Sequence, residues 1–189
     1  MKVALIDATV HPVETIGKMA AICYDAKTDA ASNIKRATHC KDKGHLMTMR
    51  FAYATINVQG ISRICSHQLV RMAHAGILQE SQRYVEQSEI EFITPPSLKD
   101  MSLQIRARWD QYLVLGEELY SDSIKAKMKK EDARYCLPQS CTTQLNLCLN
   151  FQAWRDFLKN RTSKSAQWEI REMALEIEQI LHNLAPEIF

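Results

Sequence analysis

The amino-acid sequence predicts one compact α/β or α+β domain, on three observations. Residues 3–6, 49–58 and 141–149 carry short runs with the β-branched, aromatic or alternating character of strands. Elsewhere apolar residues recur at three- and four-residue spacing, most clearly Ile170, Met173, Ala174, Ile177, Ile180, Leu181 and Leu184. No internal repeat, low-complexity tract or linker interrupts residues 1–189, a length that can enclose one core.

The elements follow in order. Val3 to Ile6 is a short apolar strand. His11-Pro12 opens a helix, because proline is pre-set for the first helical position, and Ile16, Met19, Ala20 and Cys23 supply its stripe. A polar helix covers 29–42 and stops near Gly44. Met49 to Val58 is a strand that Gly60 breaks, and Ile61 to Met72 returns to helix. Residues 79–84 are expected to be extended, which would point Gln79, Ser81 and Arg83 to one side. After Thr94-Pro95-Pro96 a long amphipathic helix is predicted from about Leu98 to Ile124, and a lysine-rich stretch from Lys125 to Lys130 reads as solvated surface. Glu131 to Tyr135 is a short helix stopped before Pro138, and Cys141 to Leu149 a strand. Trp154 and Trp168 are both expected in the core.

Composition excludes several classes. Hydrophobic residues make up 46% and charged residues 24%, ordinary for a globular protein, and a formal net charge of +2 gives no bulk attraction for nucleic acid. No apolar run approaches the roughly 20 residues that span a bilayer, and the N-terminus lacks a signal-peptide pattern, so a cytoplasmic location away from membranes is expected. Six cysteines lack Cys-x-x-Cys pairing and read as small buried hydrophobes. Cys65-x-His67 has no second ligand pair, so no metal site is predicted.

Any anion site must therefore be local. Gln68, Arg71, Gln79, Ser81 and Arg83 crowd one short window, and Ala133 to Pro138 and Asn150 to Arg171 bring Arg134 and Arg161. Taken singly, each arginine reads equally well as a surface residue. Together they suit a phosphate, because a guanidinium fork matches phosphate oxygens two at a time. Ser81 has no histidine–acid pair around it and reads as a binding residue, not a nucleophile.

Three ordered blocks carry a resemblance: Gly60-Ile-Ser-Arg-Ile-Cys-Ser-His-Gln-Leu-Val-Arg71, Gln79-Glu-Ser-Gln-Arg-Tyr-Val85 and Ala166-Gln-Trp-Glu-Ile-Arg171. The sequence resembles the flavin-dependent thymidylate synthases over residues 44–94 and 131–178. The resemblance implies an α+β fold with a central, mostly antiparallel sheet flanked by helices, and a homotetramer with shared active sites. It implies one-carbon transfer to C5 of deoxyuridine monophosphate (dUMP), giving dTMP, with methylenetetrahydrofolate as donor, FAD as cofactor and NADPH as electron source. Substrate binding falls to Gln68, Arg71, Gln79, Ser81, Arg83, Arg134 and Arg161. Arg161 is also the catalytic group, polarising the pyrimidine as C5 becomes nucleophilic. His45, Arg71 and Asn150 are the implied cofactor-binding residues.

The nucleotide half of that pattern is intact and the flavin half is altered. The family's Arg-His-Arg, seven residues, Ser becomes Arg71-Met72-Ala73, seven residues, Ser81. The usual Ser-x-Asn/Ser becomes Gly76-Ile77-Leu78, Asn-x-Arg becomes Asn150-Phe151-Gln152, and the histidine before Ala-Gln-Trp-Glu is Ser165. Arg50-Phe51 replaces a frequent Glu-His, and His74 is an added histidine. A charge-assisted contact contributes about 1.5–3 kcal/mol, so two lost diphosphate contacts weaken FAD on the order of a hundredfold or more. Two alternatives follow. One is a pyrimidine nucleotide 5-hydroxymethyltransferase, which needs no net reduction and for which Cys65 or Cys136 would attack C6; the other is a non-catalytic nucleotide-binding homologue.

Overall fold

The computed structural model describes residues 1–73, 75–87 and 90–189. Four strands form one antiparallel sheet in the order β1 (Lys2–Ala8), β2 (Tyr53–Ser62), β4 (Thr142–Asn150), β3 (Gly76–Gln79). With the helices below, this is the α+β class expected from the resemblance. The chain divides into two compact units. The first comprises Met1–Val58, Val70–Leu78 and Leu145–Phe189; the second comprises Gln59–Leu69 and Gln79–Gln144.

In the first unit α1 (Pro12–Ala21) starts at Pro12, as its sequence dictates, and turns Ile16, Gly17 and Ala20 inward. It packs on α2 (Ala30–Asp42), which Asp29 caps by accepting from the Ser32 amide at 3.0 Å. The helices approach so closely that a Cβ on Gly17 would lie 1.9 Å from the Asn33 carbonyl oxygen. Arg36 ties the crossing by donating to the Gly17 carbonyl at 3.0 Å and the Asn33 side chain at 2.9 Å.

Two further helices complete this unit. Helix α6 (Phe151–Arg161) buries Phe151, Trp154, Phe157 and Leu158. Trp154 is fully buried, and its indole donates to the Ala54 carbonyl at 3.0 Å. Helix α7 (Trp168–Leu184) buries Ile170, Met173, Ala174, Ile177 and Leu181, the stripe read from the sequence. Gln167 caps it through two backbone amides. Trp168 is 36% exposed, against the expectation of a core tryptophan, because it stands at the first helical residue, beside the cap.

The second unit holds α3 (Arg63–Leu69), α4 (Leu103–Lys125) and α5 (Lys130–Ala133). Helix α4 starts later than expected because Pro96–Asp100 forms a separate 3-10 turn and Ser102 then caps the helix. Gly116 lies against Pro138, where a Cβ would meet Pro138 Cδ at 2.8 Å. Helix α4 buries only Gly116 and Tyr120.

Three local expectations are corrected. Gly60 does not end β2: it takes φ of 68°, open to glycine, and pairing continues to Ser62. Helix α3 is therefore shorter than expected. Residues after Gln79 are not a strand either. The Ser81 carbonyl accepts from the amides of Tyr84 at 3.1 Å and Val85 at 2.9 Å, a tight turn that removes the shared side of Gln79, Ser81 and Arg83. Of the cysteines, Cys40, Cys65 and Cys141 are buried, Cys136 and Cys148 half-buried, and Cys23 exposed.

Candidate functional site

The predicted residues fall into two groups, one in each unit. In the second unit, α3 contributes Arg63, His67 and half-buried Gln68, while the turn after α5 contributes Arg134 and Tyr135. Arg63, His67, Gln82, Arg134 and Cys141 are among the residues lining a cavity of about 240 Å³. Within its lining Gln82 Nε2 donates to Cys141 Sγ at 3.4 Å. Gln79 is not among the lining residues: its Nε2 donates to Ser66 Oγ at 2.9 Å and to Thr143 Oγ1 at 3.2 Å, tying β3 to α3 and β4.

Arg83 and Arg134 meet at Glu131. Arg83 Nε and Nη2 both lie 3.1 Å from Glu131 Oε2, and Arg134 Nε donates to the Glu131 carbonyl at 3.1 Å. The Arg83 guanidinium also sits 5.6 Å from the Tyr84 ring centre. This ion pair is solvent-accessible and of a kind that contributes about 0–1 kcal/mol, so an incoming phosphate can displace the carboxylate. Ser81 Oγ accepts from the Arg83 amide at 3.3 Å and so shapes the turn that presents Arg83.

The first unit has its own cavity, of about 740 Å³, beside α6. Asn150, Ala153, Asp156, Phe157, Asn160 and Arg161 face it at helical spacing. Arg50 lines it from the Leu46–Phe51 turn, and Met72 and Ala73 from the segment after α3. Among the described residues, neither Arg50 nor Arg161 makes a hydrogen bond or ion pair, which leaves two free guanidiniums on the wall. Asn150 is the N-cap of α6, its Oδ1 accepting from the Ala153 amide at 2.9 Å. His45 and Arg71 are exposed, His45 beginning the Leu46–Phe51 turn. His74 lies outside the described residues.

Sequence reasoning missed α6 as an element, and with it the most distinctive part of this wall. Gln152 Nε2 donates to both oxygens of Asp156, each at 3.0 Å. The carboxylate holds the amide with its NH₂ toward Asp156, and Gln152 Oε1 is left buried without a partner. The signal was present: Gln152, Asp156 and Asn160 are spaced by four, and Asn150 is a good cap residue.

The positions that depart from the family pattern bring no charge to a diphosphate: Met72 and Ala73 are uncharged, the Gln152 amide is engaged, and Asp156 adds a carboxylate, so the cations of this wall are Arg50 and Arg161. Neither cysteine considered for C6 attack is prepared for it. Cys65 is fully buried. Burial pushes the Cys136 thiol up, and its S–H donates to the Ala133 carbonyl at 3.0 Å, so it stays a thiol rather than the nucleophilic thiolate.

Comparison with known proteins agrees with the residues. Residues 4–187 match the model of the family described as thymidylate synthase complementing protein. The chain is 33% identical to the flavin-dependent thymidylate synthase of Pyrococcus furiosus over 186 residues, covering 92% of this chain and 76% of that protein. It is 32% identical to the enzyme of the same name from Mycobacterium avium over 185 residues, covering 88% and 74%. Three retained sequence blocks, an α+β fold and a family match spanning nearly the whole chain lead to one assignment: this protein belongs to the thymidylate synthase complementing family, the family of the flavin-dependent thymidylate synthases.

Proposed function

We propose that the protein transfers a one-carbon unit from methylenetetrahydrofolate to C5 of dUMP or a closely similar nucleotide, forming dTMP. The observation that carries this reading is the local gathering of Arg63 and Arg134, with His67, around one cavity and Arg83 nearby on Glu131, in a chain of net charge only +2. Arg83 and Arg134 anchor the nucleotide, Gln68 and Ser81 orient it, and Gln79 ties β3 to α3 and β4. Under the shared active sites that the resemblance implies, Arg161 of another copy polarises the pyrimidine carbonyls, stabilising charge as C5 becomes nucleophilic. The relatives' names bring a flavin into the proposal, and the resemblance specifies FAD and adds NADPH as electron source. No residue of the α6 wall is assigned to the FAD diphosphate.

The assembly belongs to the same proposal. Ile105, Tyr112, Leu115 and Leu119 follow seven-, three- and four-residue spacing along α4 and are 49%, 55%, 63% and 52% exposed. Such a seam suits helix-on-helix packing with another copy and supports a homo-oligomer, a homotetramer by resemblance. A Leu115→Glu chain that keeps the wild-type mass in light scattering would remove this support.

A second reading is favoured by the α6 wall. If no hydride reaches the transferred carbon, water adds to it: dUMP, methylenetetrahydrofolate and water give the 5-hydroxymethyl nucleotide, tetrahydrofolate leaving and the C5 proton passing to solvent. Electrons balance without a reductant. Mass spectrometry of dUMP incubated with the protein, methylenetetrahydrofolate, FAD and NADPH decides between them. A product heavier by a methyl group supports the first reading and one heavier by a hydroxymethyl group the second. Tight dUMP binding with no product under any combination would sink both and leave a nucleotide-binding protein.

A further inference from the structure

The second unit carries more cations on one strip of surface than a single phosphate can use. Lys130 Nζ donates to the Tyr84 carbonyl at 3.3 Å, the Arg83 guanidinium lies 5.6 Å from the Tyr84 ring centre, and Arg83 and Arg134 meet at Glu131. Arg134 and Tyr135 line the cavity together with Arg63 and His67. Lys127 and Lys129 precede this series in the chain, both exposed, and among the described residues neither side chain has a hydrogen bond or ion pair. Glu86, Glu131 and Asp132 lie among the cations. The first two are in solvent-accessible ion pairs with Lys130 and Arg83, of the weak kind that an incoming polyanion displaces.

Tyrosines interleave with this charge. One exposed aromatic residue needs no explanation. Here Tyr84 is 75% exposed and Tyr135 86%, each directly follows an arginine, and the pairs Arg83-Tyr84 and Arg134-Tyr135 are joined through Glu131. A mononucleotide held by Arg83 and Arg134 leaves Lys127, Lys129 and both rings without a role. An acidic peptide would use the cations and not the rings. An unpaired polynucleotide uses both, its phosphates taking the cations and its bases laying free π-faces on tyrosine. In a duplex those faces are covered by neighbouring bases. A net charge of +2 gives no attraction over the whole surface, so binding would depend on this strip. We propose that residues 127–135, with Arg83 and Tyr84, bind single-stranded nucleic acid whose bases stack on Tyr84 and Tyr135. This goes beyond nucleotide turnover and does not depend on it.

The test is fluorescence anisotropy of the full-length protein with a labelled oligothymidylate of about twelve nucleotides, within the usual site size of single-strand binders. Wild type is expected to bind it, log K falling with log salt at a slope of about −2 to −3. Tyr135→Ala is expected to bind about ten- to hundredfold more weakly, and Tyr135→Phe like wild type. Lys127→Glu combined with Lys129→Glu should weaken binding about tenfold and leave the KM for dUMP unchanged. No binding by wild type, undiminished binding by these variants, or equal binding of a duplex overturns the proposal. Polyglutamate that displaces the oligonucleotide as well as unlabelled polythymidylate does overturns it too, and makes the strip a site for acidic peptide. A lower mass for Tyr135→Ala in light scattering assigns that ring to contact between copies and has the same force. Turnover of dUMP is read separately. Oligonucleotide binding without turnover keeps the strip and removes the proposed function, and turnover without oligonucleotide binding does the reverse.

Discussion

The two cavities of this chain contrast in lining. The one in the second unit gathers Arg63, His67, Gln82 and Arg134, with Arg83 held nearby by the exposed Glu131 carboxylate. The one in the first unit is lined by Asp156 and Gln152 together with the unpaired guanidiniums of Arg50 and Arg161. The first is cationic, a charge pattern that suits phosphate. The second is mixed, with a carboxylate and two guanidiniums lining one cavity. One chain of this family thus carries two cavities of different charge pattern, one in each unit.

Several experiments break or sharpen that contrast. The largest expected effect is structural: Trp154→Ala, which empties the support behind the α6 wall, should destabilise the first unit by about 3–5 kcal/mol in urea unfolding. Next is Arg161→Ala, expected to lower kcat by roughly 10²–10³ while protein stability is unchanged, as for loss of a donor aimed at developing charge. A larger rise in dUMP KM than fall in kcat would make Arg161 a binding residue only. Arg134→Ala should raise the KM for dUMP about ten- to hundredfold with a smaller effect on kcat, and the loss should shrink for the nucleoside lacking phosphate.

Smaller shifts follow. Glu131→Gln frees Arg83 and should tighten dUMP binding by no more than roughly fivefold, the effect fading as salt is raised. Unchanged affinity at low salt would mean Arg83 never reaches the phosphate. The smallest concerns pH. Burial holds the Cys141 thiol above its ordinary 9.0, against opposing contributions from Gln82 and Arg63. The folded chain therefore keeps this proton longer than the unfolded chain. Its contribution is fully present below 9.0 and is lost as pH rises through the folded value. The fall in urea midpoint above pH 9 should be shallower in Cys141→Ala than in wild type.

How much of this was legible depends on what each signal requires. The strands near 53–62 and 142–150 and the helix at 168–184 announced themselves because burial on one side imposes a period on the sequence. The turn at 81–85 did not, since Gln79, Ser81 and Arg83 alternate as polar residues with no apolar partner side to fix a register. Helix α6 was missed although its buried positions 151, 154, 157 and 158 follow helical spacing, because Trp154 and Arg161 were read as isolated positions. The nucleotide-side residues were named in advance through family blocks, but their fixing by Glu131, 48 positions from Arg83, is a tertiary fact. Asp156 could be seen only once Gln152 was placed one turn before it on a helix.

That single turn has an evolutionary consequence. The residues that give α6 its place, Phe151, Trp154 and Leu158, stand on a different side of the helix from Gln152 and Asp156, which line the cavity. Substitutions at 152 and 156 can therefore alter the lining of this cavity without emptying the core behind it, so its chemistry is freer to vary than the position of the helix.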